Sequence, residues 1–177
     1  MPKLMINSAG DQYFLPDSSQ FYFDGLPGEK YLRYVPNTDH SLRNSDARDS
    51  LIAFYDVVLR NLPRPRFSWK FEKDGRITAK CTDEPTEVKL WQATNPDQRD
   101  FRLVALGPAY KSTLLTAHTK GVYEAKIEKP AKGWTAAFIE LTFPSGGKYP
   151  LKLTTAVRVV PDTLPFPLPK PSGKLPE

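Results

Sequence analysis

The sequence is poor in the side chains that build disulfides and metal centres. Cys81 is the one cysteine among 177 residues, so the chain cannot form an internal disulfide or a cysteine-rich zinc site. The two histidines, His40 and His118, leave little material for a metal centre, and we expect neither a metal nor a cofactor. No apolar run approaches the roughly 20 residues that a membrane-spanning helix needs, so we expect no membrane span.

Proline, in contrast, is abundant. The chain contains 18 prolines, about twice the usual share of about 5%. Six of them lie in residues 161–177, where the missing donor and fixed φ of proline predict an extended tail. A ligand for an SH3-like groove is the alternative interpretation of this tail. Pro63 and Pro65 follow a helical pattern and indicate a domain junction.

Charge changes at the same junction. Residues 1–62 carry six basic and eight acidic side chains, whereas residues 63–177 carry 19 and 12. We therefore predict three parts: a first domain over 1–63, a second over 64–160 and the tail over 161–177. The basic residues of the second part alternate with acidic ones rather than forming one patch, so we expect no nucleic-acid partner.

The second part has the pattern of an all-β domain. Apolar and polar residues alternate from Phe67 to Phe71, and Asp74-Gly75 then gives a strong hairpin signal. Further strand-like runs cover 76–81, 86–93, 101–106, 112–117, 121–127, 134–143 and 150–160. Strands at this spacing predict an immunoglobulin-like or fibronectin-like sandwich.

The first part reads as strand, helix, strand, helix. We predict strands over 3–8 and 30–35, a helix from Asp17 to Gly25, and a longer helix over about 46–60. The longer helix has an apolar stripe of Leu51, Phe54, Tyr55 and Val58. This order is that of the closing βαβα segment of an α/β hydrolase, so the predicted fold class is α+β, with that segment followed by the sandwich.

Two residues of this first part are candidates for catalysis. Asp11 follows the first strand and His40 follows the second, and functional side chains collect at the carboxyl ends of parallel strands. In hydrolase triads a carboxylate holds the tautomer of a histidine that takes the proton of the nucleophile. The alternative is that Asp11 caps a turn and that His40 is a solvated loop residue.

The stretches 2–7, 10–19 and 26–42 resemble the PhoPQ-activated pathogenicity-related proteins, and Pro63-Arg64-Pro65-Arg66-Phe67-Ser68-Trp69 continues the likeness. The resemblance is dense over residues 2–69 and looser up to about residue 160. It implies an α/β-hydrolase-like protein with a β-rich extension, in which Asp11 and His40 correspond to the family's acid and histidine. It also implies a protein that is exported or secreted.

The sequence departs from the family in two features. Family members are longer, and no Gly-x-Ser-x-Gly nucleophile elbow occurs in these 177 residues. We therefore expect a C-terminal fragment that is inactive alone, with an exposed apolar patch on residues 1–62 where a missing N-terminal hydrolase portion or a partner would pack. The alternative is a protein-binding or glycan-binding sandwich with a hydrolase remnant as scaffold.

Overall fold

The structure is a computed structural model, and it describes residues 1–165. Most of the predicted proline-rich tail, residues 166–177, lies outside the described residues, and so does most of the SH3-type motif. The described residues form ten strands, which are β1 (Lys3–Ser8), β2 (Lys30–Val35), β3 (Phe67–Phe71), β4 (Arg76–Cys81), β5 (Glu87–Asn95), β6 (Lys111–Leu114), β7 (Val122–Lys126), β8 (Trp134–Phe143), β9 (Leu151–Thr154) and β10 (Arg158–Val160). They also form two α-helical segments, α1 (Ala47–Leu59) and α2 (Leu103–Leu106).

Seven strands form one mixed sheet. Its order is β1-β2-β9-β8-β5-β6, and β10 also pairs with β8. β1 and β2 are parallel, with Met5 opposite Leu32, while the other pairs are antiparallel. The remaining strands form a three-stranded antiparallel sheet in the order β3-β4-β7. The large sheet thus contains strands from both sides of residue 63.

β8 is the centre of the core, because nine of its ten residues are buried. Ile139 and Leu141 belong to a cluster that includes Ile77 of the small sheet and Phe54 of α1. Phe138 belongs to a second cluster, which includes Tyr34, Phe101 and Tyr110. The alternation along β8 therefore supplies two apolar surfaces, which is why a near-continuous apolar run occurs at this strand.

The predicted α+β fold class, a βαβα segment of an α/β hydrolase followed by an immunoglobulin-like or fibronectin-like sandwich, is wrong. The structure is mostly β-sheet, mixed and antiparallel. The segment predicted as the first helix forms only a 3-10 turn at Ser18–Phe21. Pro16, Gly25 and Pro27 leave too few residues for a helix that must repay the cost of nucleation. The second helix is present as α1.

Two strand predictions also need correction. Residues 101–106 do not form a strand, because Leu103–Leu106 make a short helical turn. Residues 150–160 form β9 and β10, which pair with β8 on both sides of an interruption at 155–157. The register slips by one residue there, as a β-bulge requires. The predicted hairpin of β3 and β4 is present, with Gly75 at φ 93° in its turn.

Within residues 1–165, no helix is long and apolar enough to cross a lipid bilayer.

Candidate functional site

The two parallel strands place their carboxyl ends side by side. Ser8, the last residue of β1, pairs with Val35, the last residue of β2. Asp11 lies in the turn that leaves β1, and His40 lies in the loop that leaves β2. The backbone N–H of Ala9 donates to the carbonyl of Val35 at 2.9 Å, so the two exits remain joined beyond the strands.

The structure brings the two predicted site residues into contact. Nδ1 of His40 lies 2.8 Å from Oδ2 of Asp11. The Asp11 side chain is 7% exposed and that of His40 is 49% exposed. A buried carboxylate and a half-exposed imidazole at hydrogen-bond distance match the geometric demand on the acid and histidine of a triad. Their catalytic role remains a prediction.

The second oxygen of Asp11 fixes the carboxylate. Oδ1 accepts the backbone N–H of Tyr13 at 2.7 Å and that of Phe14 at 3.2 Å. Oδ2 is then directed at the imidazole. The carboxylate therefore cannot rotate away from His40 without losing two backbone hydrogen bonds, and bonds to a charged group contribute roughly 1.5–3 kcal/mol each.

The same turn forms the surroundings of the imidazole. The Tyr13 ring stands edge-on to His40 with 4.9 Å between centroids, and the Phe14 centroid is 6.0 Å away. The backbone N–H of His40 donates to Oε1 of Gln12 at 3.1 Å. Tyr13 and Phe14 are themselves largely exposed. Among residues 1–165 nothing hydrogen-bonds Nε2, so this nitrogen is free to act on an incoming group.

Close backbone approach holds the two loops together. The hydroxyl of Ser8 donates to the carbonyl of Thr38 at 2.6 Å and accepts the N–H of Gly10 at 3.0 Å. A Cβ at Gly10 would lie 2.6 Å from the Thr38 carbonyl, so only glycine fits there. The sequence interpretation did not name Ser8 and Gly10 as site residues, although a glycine in the turn that leaves the strand was the available signal.

The loop that bears His40 has an unusual backbone. Asn37, Leu42 and Asn44 adopt positive φ angles of 54°, 55° and 56°. Left-handed residues other than glycine cost free energy and persist where surrounding contacts determine them. Such residues cluster at functional sites, so the loop is a constrained segment rather than a passive connection.

None of the described residues places a nucleophile in hydrogen-bond contact with the His40 imidazole. Ser41 Oγ donates to Oδ1 of Asp39 at 2.5 Å, and Ser8 Oγ is engaged with Thr38. Burial raises the pKa of the Cys81 thiol to about 11, which leaves little thiolate at neutral pH. Within residues 1–165, no three His, Cys, Asp or Glu side chains are grouped to hold a metal ion.

A cleft borders the aspartate. It runs between residues 11–16 and residues 99–102. The Arg99 guanidinium on this side forms a buried ion pair with Asp17, and Arg102 pairs with Asp100 at 2.5 Å. The lining of the cleft thus combines apolar side chains with polar ones, including Asp11 and Gln12, and the charges of its two arginines are balanced by Asp17 and Asp100.

Comparison with known proteins identifies relatives of the chain. A family model described as PhoPQ-activated pathogenicity-related protein matches residues 1–102. The autocrine proliferation repressor protein A of Dictyostelium discoideum is 35% identical over an alignment of 193 positions, which covers 94% of this chain and 39% of that protein. The chain therefore spans well under half the length of this relative.

A solved structure was also found. The β-1,3-glucan binding domain of carbohydrate-binding module family 56 aligns with 53% of this chain and 96% of its own, at a TM-score of 0.32 and 12% identity. A likeness at this TM-score carries no argument about the fold or about a ligand.

Proposed function

This chain belongs to the PhoPQ-activated pathogenicity-related protein family, and on that premise we propose that Asp11 and His40 are the acid and the base of a serine-hydrolase triad. The nucleophilic serine comes from a polypeptide portion outside this chain, so the chain is inactive alone. The observation that carries the proposal is the 2.8 Å contact between His40 Nδ1 and a buried Asp11 carboxylate whose other oxygen is held by two backbone amides.

The serine, His40 and Asp11 have distinct roles in the proposed reaction. A serine hydroxyl attacks the carbonyl carbon of an ester or amide, and Nε2 of His40 takes its proton. Asp11 holds the proton on Nδ1 and stabilises the imidazolium that forms. The imidazolium then protonates the leaving group, and water repeats the sequence to release the acid and regenerate the serine.

Exposed apolar side chains support the proposal of a covering portion. α1 packs against β1 and β9. Its outer side presents Leu51, Tyr55 and Leu59, which are 55%, 62% and 65% exposed. Phe21, in the turn after β1, is 74% exposed. Surfaces of this kind mark sites where another protein segment packs. The Dictyostelium relative is more than twice as long as this chain, and this greater length is consistent with such a segment.

A covalent probe tests the proposal. We would replace the region of the Dictyostelium relative that aligns with this chain by residues 1–177 and treat the chimera with a fluorophosphonate, which labels activated serines. We expect labelling of a serine outside residues 1–177. His40→Ala should abolish it, and Asp11→Asn should slow it by about four orders of magnitude, as loss of a triad acid does elsewhere. His118→Ala, a change at the second histidine, is the matched control and should have no effect.

Two results would contradict the proposal. Labelling of a serine in the isolated chain, lost on His40→Ala, would show that the chain has its own nucleophile. A folded chimera in which no serine is labelled, or in which labelling does not depend on His40, would exclude the triad. Size-exclusion chromatography and thermal melting establish folding in each case.

A further inference from the structure

One residue touches both loops of the candidate site from a distant part of the chain. The backbone N–H of Tyr110 donates to Oδ1 of Asn37 at 2.9 Å, and Nδ2 of Asn37 donates to the Tyr110 carbonyl at 2.9 Å. The Tyr110 hydroxyl donates to the carbonyl of Ala9 at 3.3 Å. Asn37 leaves β2 toward His40 and Ala9 leaves β1 toward Asp11, so Tyr110 binds both exits at once.

The loop conformation depends on this contact. Asn37 has φ 54°, a left-handed conformation that asparagine tolerates better than most residues. Its side-chain amide makes two hydrogen bonds to the backbone of Tyr110, as the backbone of a neighbouring strand would. The next residue, Thr38, is the one whose carbonyl is held by Ser8 and lies over Gly10. The position of Asn37 therefore sets where the chain begins its approach to Asp11.

Tyr110 is a fixed anchor for the loop. It is 4% exposed, and its ring lies 5.8 Å from the ring of Phe138 in β8, the central strand. Burial raises the pKa of its hydroxyl, which therefore remains a hydrogen-bond donor. His40, in contrast, is half exposed, and its side chain contacts residues of the other loop, Asp11, Tyr13 and Phe14, rather than the sheet core.

We propose that Asn37 and Tyr110 are positioning residues that hold His40 Nδ1 against Asp11. This inference rests on the proposed function for its catalytic meaning, but the geometry of the pair is measurable without catalysis. The two residues form a brace between the sheet core and the loop 36–46. Without the brace, the loop relaxes and the exposed imidazole exchanges its carboxylate partner for water.

The tautomer of His40 reports on the brace. Nitrogen-15 NMR of the isolated chain in alkaline buffer distinguishes a ring protonated at Nδ1 from one protonated at Nε2. In the parent chain we expect the Nδ1–H form, because Asp11 accepts that proton. Asn37→Gly retains the left-handed backbone and removes the amide, and it should shift the tautomer ratio by about tenfold toward Nε2–H, as expected for the loss of hydrogen bonds of ordinary strength.

Two further variants refine the test. Asn37→Asp removes the donated hydrogen bond to the Tyr110 carbonyl and should act in the same direction. Tyr110→Phe keeps the ring and removes only the bond to Ala9, so its shift should be smaller, about threefold. Asn44→Asp is the matched control, since Asn44 has φ 56° in the same loop and no side-chain hydrogen bond among the described residues. It should leave the ratio unchanged.

A purely structural role would give a different pattern. Variants at Asn37 that lower the melting temperature but keep the parent tautomer ratio in the folded state would overturn the proposal. If the Asn37 variants do not fold, Tyr110→Phe decides alone, and an unchanged ratio in it would overturn the brace. A brace effect on the tautomer in a chain whose chimera shows no serine labelling would refute the proposed function and leave the positioning role intact.

Discussion

The large sheet ends in two very different edges. At one end β6 presents four exposed residues, Lys111–Leu114, and three of them are polar or charged. At the other end β1 is six residues long and partly buried, and the elements next to it, α1 and the turn after β1, carry exposed apolar side chains. Edge strands that face water are short and polar, because unpaired backbone groups invite another strand. β6 follows this rule and β1 does not.

The difference separates a polar edge from one whose neighbouring elements carry exposed apolar side chains, which is where the proposed covering portion would pack. The candidate site lies at the β1 and β2 end, and so do the exposed apolar residues that the sequence predicted for residues 1–62. We therefore expect the inner sides of these elements to determine the stability of the fold. Their outer sides should form the surface against which the proposed covering portion packs. Substitutions on the two sides test this division.

The largest effect is expected where β2 joins the sheet centre. Arg33 is 1% exposed and its guanidinium pairs with buried Glu140 and with Asp46 at the start of α1. Arg33→Met leaves Glu140 without its partner and should cost about 3–5 kcal/mol in the free energy of unfolding. Urea denaturation measures this, and adding Glu140→Gln should recover much of the loss. Arg76→Met, which breaks exposed pairs, serves as the control and should have little effect.

The two sides of α1 should differ nearly as much. Phe54 is 7% exposed and meets the Tyr31 ring at 5.8 Å, whereas the adjacent Tyr55 is 62% exposed. Phe54→Ala should lower the free energy of unfolding by about 3 kcal/mol, because it opens a cavity against β2. Tyr55→Ala should change it by less than about 0.5 kcal/mol in the isolated chain. Equal losses would mean that the outer side of α1 is already packed.

Tyr34, also on β2, makes the stability of this end sensitive to alkali. Burial raises its pKa to about 12, from an ordinary value near 10. The neutral phenol is favoured in the folded state, so its contribution is complete below pH 10 and is lost as pH rises toward 12. At pH 11.5, just below the folded-state pKa, Tyr34→Phe should spare about 2 kcal/mol of that alkaline loss.

Neutral pH supplies the control for Tyr34. Its hydroxyl is buried and no described residue hydrogen-bonds it, so Tyr34→Phe should leave the unfolding free energy at pH 8 unchanged or slightly higher. Denaturant titrations at pH 8 and pH 11.5 compare the two conditions. A large loss at pH 8 would reveal a hydrogen bond that stabilises the fold, and the interpretation of Tyr34 would be wrong.

The sequence predicted local features of the chain better than its architecture. β1, β2, α1 and the β3–β4 hairpin follow from periodicity and turn residues, and so does the placement of Asp11 and His40 at two strand ends. The pairing of β2 with β9 does not, because it joins residues more than 100 positions apart and no local pattern encodes it. The contacts of Tyr110 with the two loops of the site also join distant positions, so the sequence did not predict them. Part of the predicted stripe on α1 was misassigned, since Leu51 and Tyr55 are apolar yet face outward.

The smallest expected effect compares the two edges directly. Leu114 on β6 and Leu51 on α1 are 67% and 55% exposed, so Leu114→Lys and Leu51→Lys should each change the unfolding free energy by less than about 0.5 kcal/mol. Their effects on an apolar surface dye should nevertheless differ. Leu51 has Tyr55 and Leu59 as exposed neighbours on its helix, whereas Leu114 lies among Lys111, Ser112 and Thr113. Leu51→Lys should therefore reduce dye fluorescence clearly and Leu114→Lys should not. An equal reduction would mean that both edges are alike and that nothing distinguishes β1 as the edge prepared for a partner.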